Sequence, residues 1–140
     1  PDGKFAYLTQ RWLNGVVKVD LQANKIVGWA QLPPAGGFDN EGKVAHGLGV
    51  SPDGKFVYLS SQLANNVSVI NVRKNRVVRK FKVGKNPNWI ELTEDGRYAA
   101  ISNTSSNDAM LVDLKRNKAA GTIPVGKSPK RLAIRKMNKK

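Results

Sequence analysis

Cysteine is absent from this 140-residue chain and histidine occurs once, at His46. The lack of thiols excludes disulfides, zinc–thiolate sites, c-type haem attachment within the chain and a thiol nucleophile, and it leaves the redox compartment open. No apolar run approaches the roughly 18 residues that a membrane-spanning helix needs. An initiator methionine and a basic-then-apolar leader are also lacking. Opening on Pro1, the chain reads as processed or incomplete, with room for a signal peptide lost upstream. Acidic residues are scarce, 10 Asp and Glu against 24 Lys and Arg, which gives a formal net charge of +14. A hydrophobic content of 40% still suffices for one globular domain or a piece of one.

The charge is graded along the chain: +1 over residues 1–51, +6 over 52–93 and +7 over 94–140. A general attraction for acidic surfaces results from this, but no specific ligand does.

What the chain does have is an internal repeat. Asp2-Gly3, Asp53-Gly54 and Asp95-Gly96 are spaced by 51 and 42 residues, and the register holds onward through Asn14, Asn65 and Asn107, then Asp20, Asn71 and Asp113, then Asn24, Asn75 and Asn117. Gly84-Lys85 answers Gly126-Lys127 further on. The nine extra residues of the first repeat fall in one connection, "PPAGGFDNEGKVAH", so the underlying unit is about 42 residues. Each unit reads as four short strands. "HGLGVS" leads through a Pro-Asp-Gly turn into "KFVYLSS", a short loop leads to "NVSVINV", and "RKN" turns the chain into "RVVRKFKV". Asn closes that last turn in all three units because it tolerates the left-handed conformation.

Tyr7-Leu-Thr-Gln10 and Tyr58-Leu-Ser-Ser61, the "NNVSVINVRKNRVV" run and the "VGKNP" punctuation resemble the YVTN family of β-propeller repeats, over essentially the whole chain. The third unit departs from the pattern, with Ala100 where the first two have Tyr7 and Tyr58. The resemblance implies an all-β fold of β-propeller blades: about three four-stranded antiparallel blades in an incomplete ring, as part of one domain over residues 1–140. The repeat units run over about 1–45, 46–87 and 88–129, and residues 130–140 start a further blade and end in a basic tail. Three blades are too few to close a ring, since propellers have about four to eight. The chain therefore reads as the C-terminal part of a larger propeller of about seven blades, completed by the remaining blades of the same propeller or by another chain. Residues 131–134, whose Leu132 and Ile134 match Leu48/Val50 and Ile90/Leu92, are expected to form an innermost strand.

Similar blades build surface-layer proteins, lactonases, amine dehydrogenase heavy chains, haem-d nitrite reductases and nitrous oxide reductases, so the fold alone does not select an activity. The resemblance implies export to the periplasm or cell surface; the first reading of function is a non-catalytic scaffold or binding role with no cofactor held within this chain. The alternative is the C-terminal portion of a haem- or copper-dependent oxidoreductase whose ligands lie mostly elsewhere. In this topology one face gathers Arg11 and Trp12, the insertion with Phe38, Asp39 and Glu41, then His46, Asn88, Trp89, Lys130 and Arg131, and a channel site is expected there.

His46 heads an inner strand and is the one metal-ligand candidate, yet a metal needs several donors. Asp39 and Glu41 could hold calcium, although two carboxylates in a Gly-rich loop are ordinarily solvated turn formers. "GTIPVGKS" fits the phosphate-loop spacing, but Pro129 and a strand come next where that loop requires a helix. Asn66-Val-Ser68 and Asn103-Thr-Ser105 fit the glycosylation pattern. Arg73, Lys74, Arg76, Lys115, Arg116 and Lys118 crowd two turns on the opposite face: a solvated surface first, a dock for an acidic protein second. Nucleic acid comes last, because no stacking aromatics stand beside these turns.

Overall fold

The computed structural model describes residues 2–10, 13–32 and 45–135, and Arg11, Trp12, Phe38, Asp39 and Glu41 lie outside them. Among the described residues eleven strands make three antiparallel sheets: β1 (Phe5–Gln10), β2 (Gly15–Asp20) and β3 (Lys25–Gln31) in blade I; β4 (Ala45–Val50), β5 (Phe56–Ser61), β6 (Asn66–Asn71) and β7 (Arg76–Lys82) in blade II; and β8 (Pro87–Leu92), β9 (Tyr98–Asn103), β10 (Asp108–Asp113) and β11 (Lys118–Pro124) in blade III. Each sheet is a meander in sequence order, and the three do not close into a ring.

The turns are dictated by their residues. Asn14, Asn65 and Asn107 take φ of 48, 51 and 59°, and Asn24, Asn75 and Asn117 take 51, 48 and 56°. These are left-handed positions that an Asn occupies at lower cost than most side chains. In the hairpins before the outermost strands, Asp20, Asn71 and Asp113 each accept from backbone N–H groups two or three residues on, at 2.8–3.0 Å. At the Asp-Gly turns the hydroxyls of Ser51 and Thr93 donate to Asp53 and Asp95 at 2.7 and 2.6 Å, and each carboxylate accepts the N–H two residues on at 3.0 Å.

Alternation along the strands sends side chains to both faces of each sheet, and the blades pack face to face. Val57, Leu59 and Ile70 of blade II meet Val16 and Ala30 of blade I, while Tyr58, Val67, Val69 and Phe81 meet Ile90, Ile101 and Val112 of blade III. The same positions on the two terminal faces are open. Leu59 is 0% exposed and its repeat counterpart Leu8 is 49% exposed; Phe81 is 7% exposed and its counterpart Ile123 is 63% exposed.

At the narrow inner edge β4 and β8 nearly touch. A Cβ on Gly47 would stand 2.5 Å from the Asn88 carbonyl oxygen and 2.6 Å from the Trp89 Cα, so only glycine fits. Ser60 links the two strands: its Oγ accepts from the Gly47 N–H at 2.7 Å and donates to the Asn88 carbonyl at 3.3 Å. One repeat later Ser102 accepts from the Trp89 N–H at 3.1 Å and donates to the Lys130 carbonyl. Lys130 thus sits where Asn88 sits, but the strand expected over residues 131–134 does not form. A strand requires a ladder, and among the described residues no segment pairs with this one.

Candidate functional site at the channel mouth

The strand registers place two ends of each blade apart. Ala45, Ser61, Asn66 and Lys82 share one row, and Phe56, Asn71 and Arg76 share the row at the far end. The first row marks the face where inner strands begin, and His46, Asn88 and Trp89 stand there at the starts of β4 and β8.

His46 is exposed, and its Nδ1 lies 2.9 Å from the Asn88 carbonyl oxygen. A carbonyl only accepts, so Nδ1 carries the proton, and in the neutral ring Nε2 keeps its lone pair. Asn88 is buried. Trp89 is half-buried and donates its Nε1–H to Glu91 at 3.2 Å, while the Arg131 guanidinium lies 5.4 Å from the ring centroid. Carboxylate, indole and guanidinium therefore form one assembly across β8 and the segment after Pro129, and the cation over the ring contributes about 0.5–1 kcal/mol. Lys130 is exposed beside it. The structure brings Asn88 to His46 and Arg131 to Trp89. Among the described residues no group of three or more His, Asp or Glu is arranged to hold a metal.

Three participants have no prominence in the sequence. Glu91 stands two residues after Trp89, hence on the same face of the strand, and that spacing is its only signal. Ser60 and Ser102 align with Thr9, a hydroxyl kept through all three units, which is the trace of their bridging role.

The remaining candidates separate from this mouth. Arg73, Lys74 and Arg76 sit on the β6–β7 hairpin and Lys115, Arg116 and Lys118 on the β10–β11 hairpin, at the far end of the blades. Arg97 and Arg116 approach Asp113 at 3.8 and 4.0 Å. The N–H of Arg116, with the Arg97 charge and the N–H of Lys115, holds the Asp113 carboxyl below its usual range. The phosphate-loop pattern leads out of β11 through Gly126 and Ser128, both at positive φ, into a segment without regular secondary structure rather than a helix. Asn103 of the second glycosylation pattern is 0% exposed and donates its Nδ2 to Asp108 at 2.6 Å, so no glycan can be attached to it in the folded state. Asn66 of the first is half-buried, with its Oδ1 enclosed.

The chain belongs to the lactonase, 7-bladed β-propeller family, whose model matches residues 1–129. No curated protein sequence matches it. Among solved structures it is similar to Kuenenia stuttgartiensis hydrazine synthase, with a TM-score of 0.80 and 23% identity over 92% of this chain and 35% of that one. It is also similar to the dihydro-heme d1 dehydrogenase NirN in complex with DHE, with a TM-score of 0.67 and 19% identity over 89% of this chain and 26% of that one. At these identities the likeness is one of fold, and the chain spans about a third and a quarter of the two structures.

Proposed function

We propose that this chain is a blade segment of an exported propeller built from YVTN-type repeats, and that it acts as a non-catalytic scaffold with a binding surface at the channel mouth. The observation that supports this best is the engagement of the polar groups there. Ser60 and His46 Nδ1 hold neighbouring inner strands together, Ser102 ties β8 to the segment at Lys130, and Glu91, the carboxylate beside Trp89 among the described residues, is bound by the indole. What faces solvent is an aromatic plane with Lys130 and Arg131 beside it, which suits binding of an anionic group more than activation of a nucleophile. Export is implied by the repeat resemblance. The remaining blades of the same propeller, or another chain, would cover the open faces of blades I and III. The test is the absorption spectrum and metal content of the intact source protein, together with an assay of lactone hydrolysis. The scaffold reading expects no haem band, no stoichiometric copper and no hydrolysis, and a positive result in any of the three overturns it.

One observation favours a second reading, a portion of a haem- or copper-dependent oxidoreductase. The bond from His46 Nδ1 to the Asn88 carbonyl leaves Nε2 free as a donor, an orientation that metal-binding histidines commonly have. A solved structure of similar fold is described as a complex with DHE. In this reading His46 supplies one ligand and the others come from outside this chain. A haem or copper signal that is lost in His46→Ala, with the fold retained, would establish it.

A further inference from the structure

The perimeter of blade II differs from its neighbours in one respect that folding does not require. Residues 73–82 contain six Lys and Arg and no Asp or Glu. Arg73, Lys74, Arg76, Lys80 and Lys82 are exposed, and none has a carboxylate within ion-pair distance among the described residues. Arg79 turns inward toward Tyr58 of the same sheet. At the hairpin that carries these cations, the residue capping the turn is Asn71, where blades I and III have Asp20 and Asp113. Asn71 makes the same contact, accepting from the Lys74 N–H at 2.9 Å, but adds no charge. In blade III the corresponding Asp113 draws in Arg97 and Arg116. Blade II thus keeps the turn geometry and omits the counter-charge where cations are densest.

Edge protection alone does not account for this. Lysine on an outer strand discourages edge-to-edge pairing. Yet β3 and β11 are also outer strands and expose Ile26, Trp29 and Ile123, each with a single lysine at the strand start. The cations of blade II run along the strand edge from the far hairpin at Arg76 to Lys82, which shares the channel-mouth row. Lys80 and Lys82 stand on one face of β7 about 7 Å apart, and Arg76, beyond the register shift opposite Val69 and Ile70, stands on the other face, so the cations flank both sides of an edge roughly 20 Å long.

We propose that the β7 edge of blade II is a docking strip for an extended acidic polypeptide segment whose carboxylates reach the cations on both sides of this edge. Arg73 and Arg76 offer planar forks suited to carboxylates, and the Asx-held turn fixes their backbone in advance. No aromatic side chain is exposed on β7 to stack bases, which disfavours a nucleic acid. This strip lies on the perimeter, and the proposal holds whichever reading of the channel mouth is correct.

The test uses the intact source protein and a fluorescent peptide of ten Glu residues, titrated by anisotropy at several salt concentrations. The peptide should bind, and Arg76→Glu/Lys80→Glu should abolish binding. Asn71→Asp, which preserves the turn, should weaken binding about two- to five-fold, since one charge on an exposed surface is worth up to about 1 kcal/mol. Thermal stability should be unchanged or raised in Asn71→Asp. Unaltered peptide affinity in Asn71→Asp with the fold intact would overturn the proposal. Tighter binding of a sulfated polysaccharide, a single-stranded oligonucleotide or phosphatidylserine vesicles than of the peptide, lost in the same variants, would overturn it also, by assigning the strip to that class.

Discussion

Alanine substitution of Leu8 and Leu59, one at a time, measures whether the open face of blade I is covered in the intact protein. The two residues stand at the same place in successive repeats, on β1 and β5; Leu59 packs against blade I, and Leu8 lies on the corresponding open face of blade I. Leu59 is fully enclosed in the cluster with Val16, Ala30 and Ile70, so truncation removes its transfer energy and leaves a cavity. Such changes cost about 3 kcal/mol. Leu8 is 49% exposed in the structure, where the same change would cost about 1 kcal/mol because half the side chain already meets water and no closed cavity is made. In a complete propeller a further blade covers Leu8 as blade I covers Leu59, and the two costs converge near 3 kcal/mol. Urea unfolding of the full-length variants reads this directly, as shifts in midpoint at constant slope. A cost for Leu8→Ala that stays near 1 kcal/mol in the intact protein, while Leu59→Ala costs three times as much, would refute completion of the ring at that face.

Expressed alone, the 140 residues should be marginally stable or self-associating, because Leu8, Trp29 and Ile123 lie on uncovered faces; a monodisperse monomer with one cooperative transition in sedimentation and calorimetry would contradict this. Gly47→Ala should destabilise severely, by more than about 2 kcal/mol, since its Cβ would press into the backbone of β8 rather than a movable side chain; circular dichroism melting checks it. Stability should fall on acidification. The Ser51 hydroxyl and Lys55 N–H hold Asp53 low, the Thr93 hydroxyl and Arg97 N–H hold Asp95 low, and the N–H of Arg116 leads in holding Asp113 low. Each folded value lies below the unfolded one of about 3.9, so the contribution is complete above that pH and is lost as pH falls through the folded values. Asp113→Asn, which copies Asn71, should flatten this acid limb in melting curves taken from pH 2 to 5.

The architecture was legible because its determinants are local and repeated. An Asn or an Asp-Gly pair at each tight turn and alternating apolar residues on the strands specify hairpins without reference to anything distant, and the observed φ values at Asn65, Asn75 and Asn107 are the direct outcome. The channel mouth was legible only in part. His46 and Trp89 stand out by rarity and position, but the partner of His46 is a backbone carbonyl, which every residue possesses and no pattern marks. Glu91 reads as an ordinary strand residue until the indole is seen to donate to it. The segment over residues 131–134 shows the opposite case. Its alternation matches the inner strands, yet alternation records which faces side chains take and not whether a ladder partner is present.

Ser102 allows that segment to be tested separately from its missing ladder. Ser60 is fully buried and joins the Gly47 N–H to the Asn88 carbonyl, so Ser60→Ala leaves the buried Gly47 N–H unmatched and the Asn88 carbonyl with His46 alone, a loss of about 1–3 kcal/mol. Ser102 is 2% exposed and makes the same two contacts one repeat on, to the Trp89 N–H and the Lys130 carbonyl. Thr104 adds a second anchor, its Oγ1 donating to the Pro129 carbonyl at 2.8 Å. These bonds seat residues 129–130 against blade III before any strand pairs with residues 131–134. If the seat positions the first strand of a further blade, Ser102→Ala in the intact protein should match Ser60→Ala in cost and should speed amide exchange across residues 131–134. The Arg131 contact with Trp89 should loosen at the same time, seen as a change in tryptophan emission. Destabilisation without faster exchange in that segment would show that Ser102 supports only β8, and that residues 131–134 are held by something other than their place in the repeat.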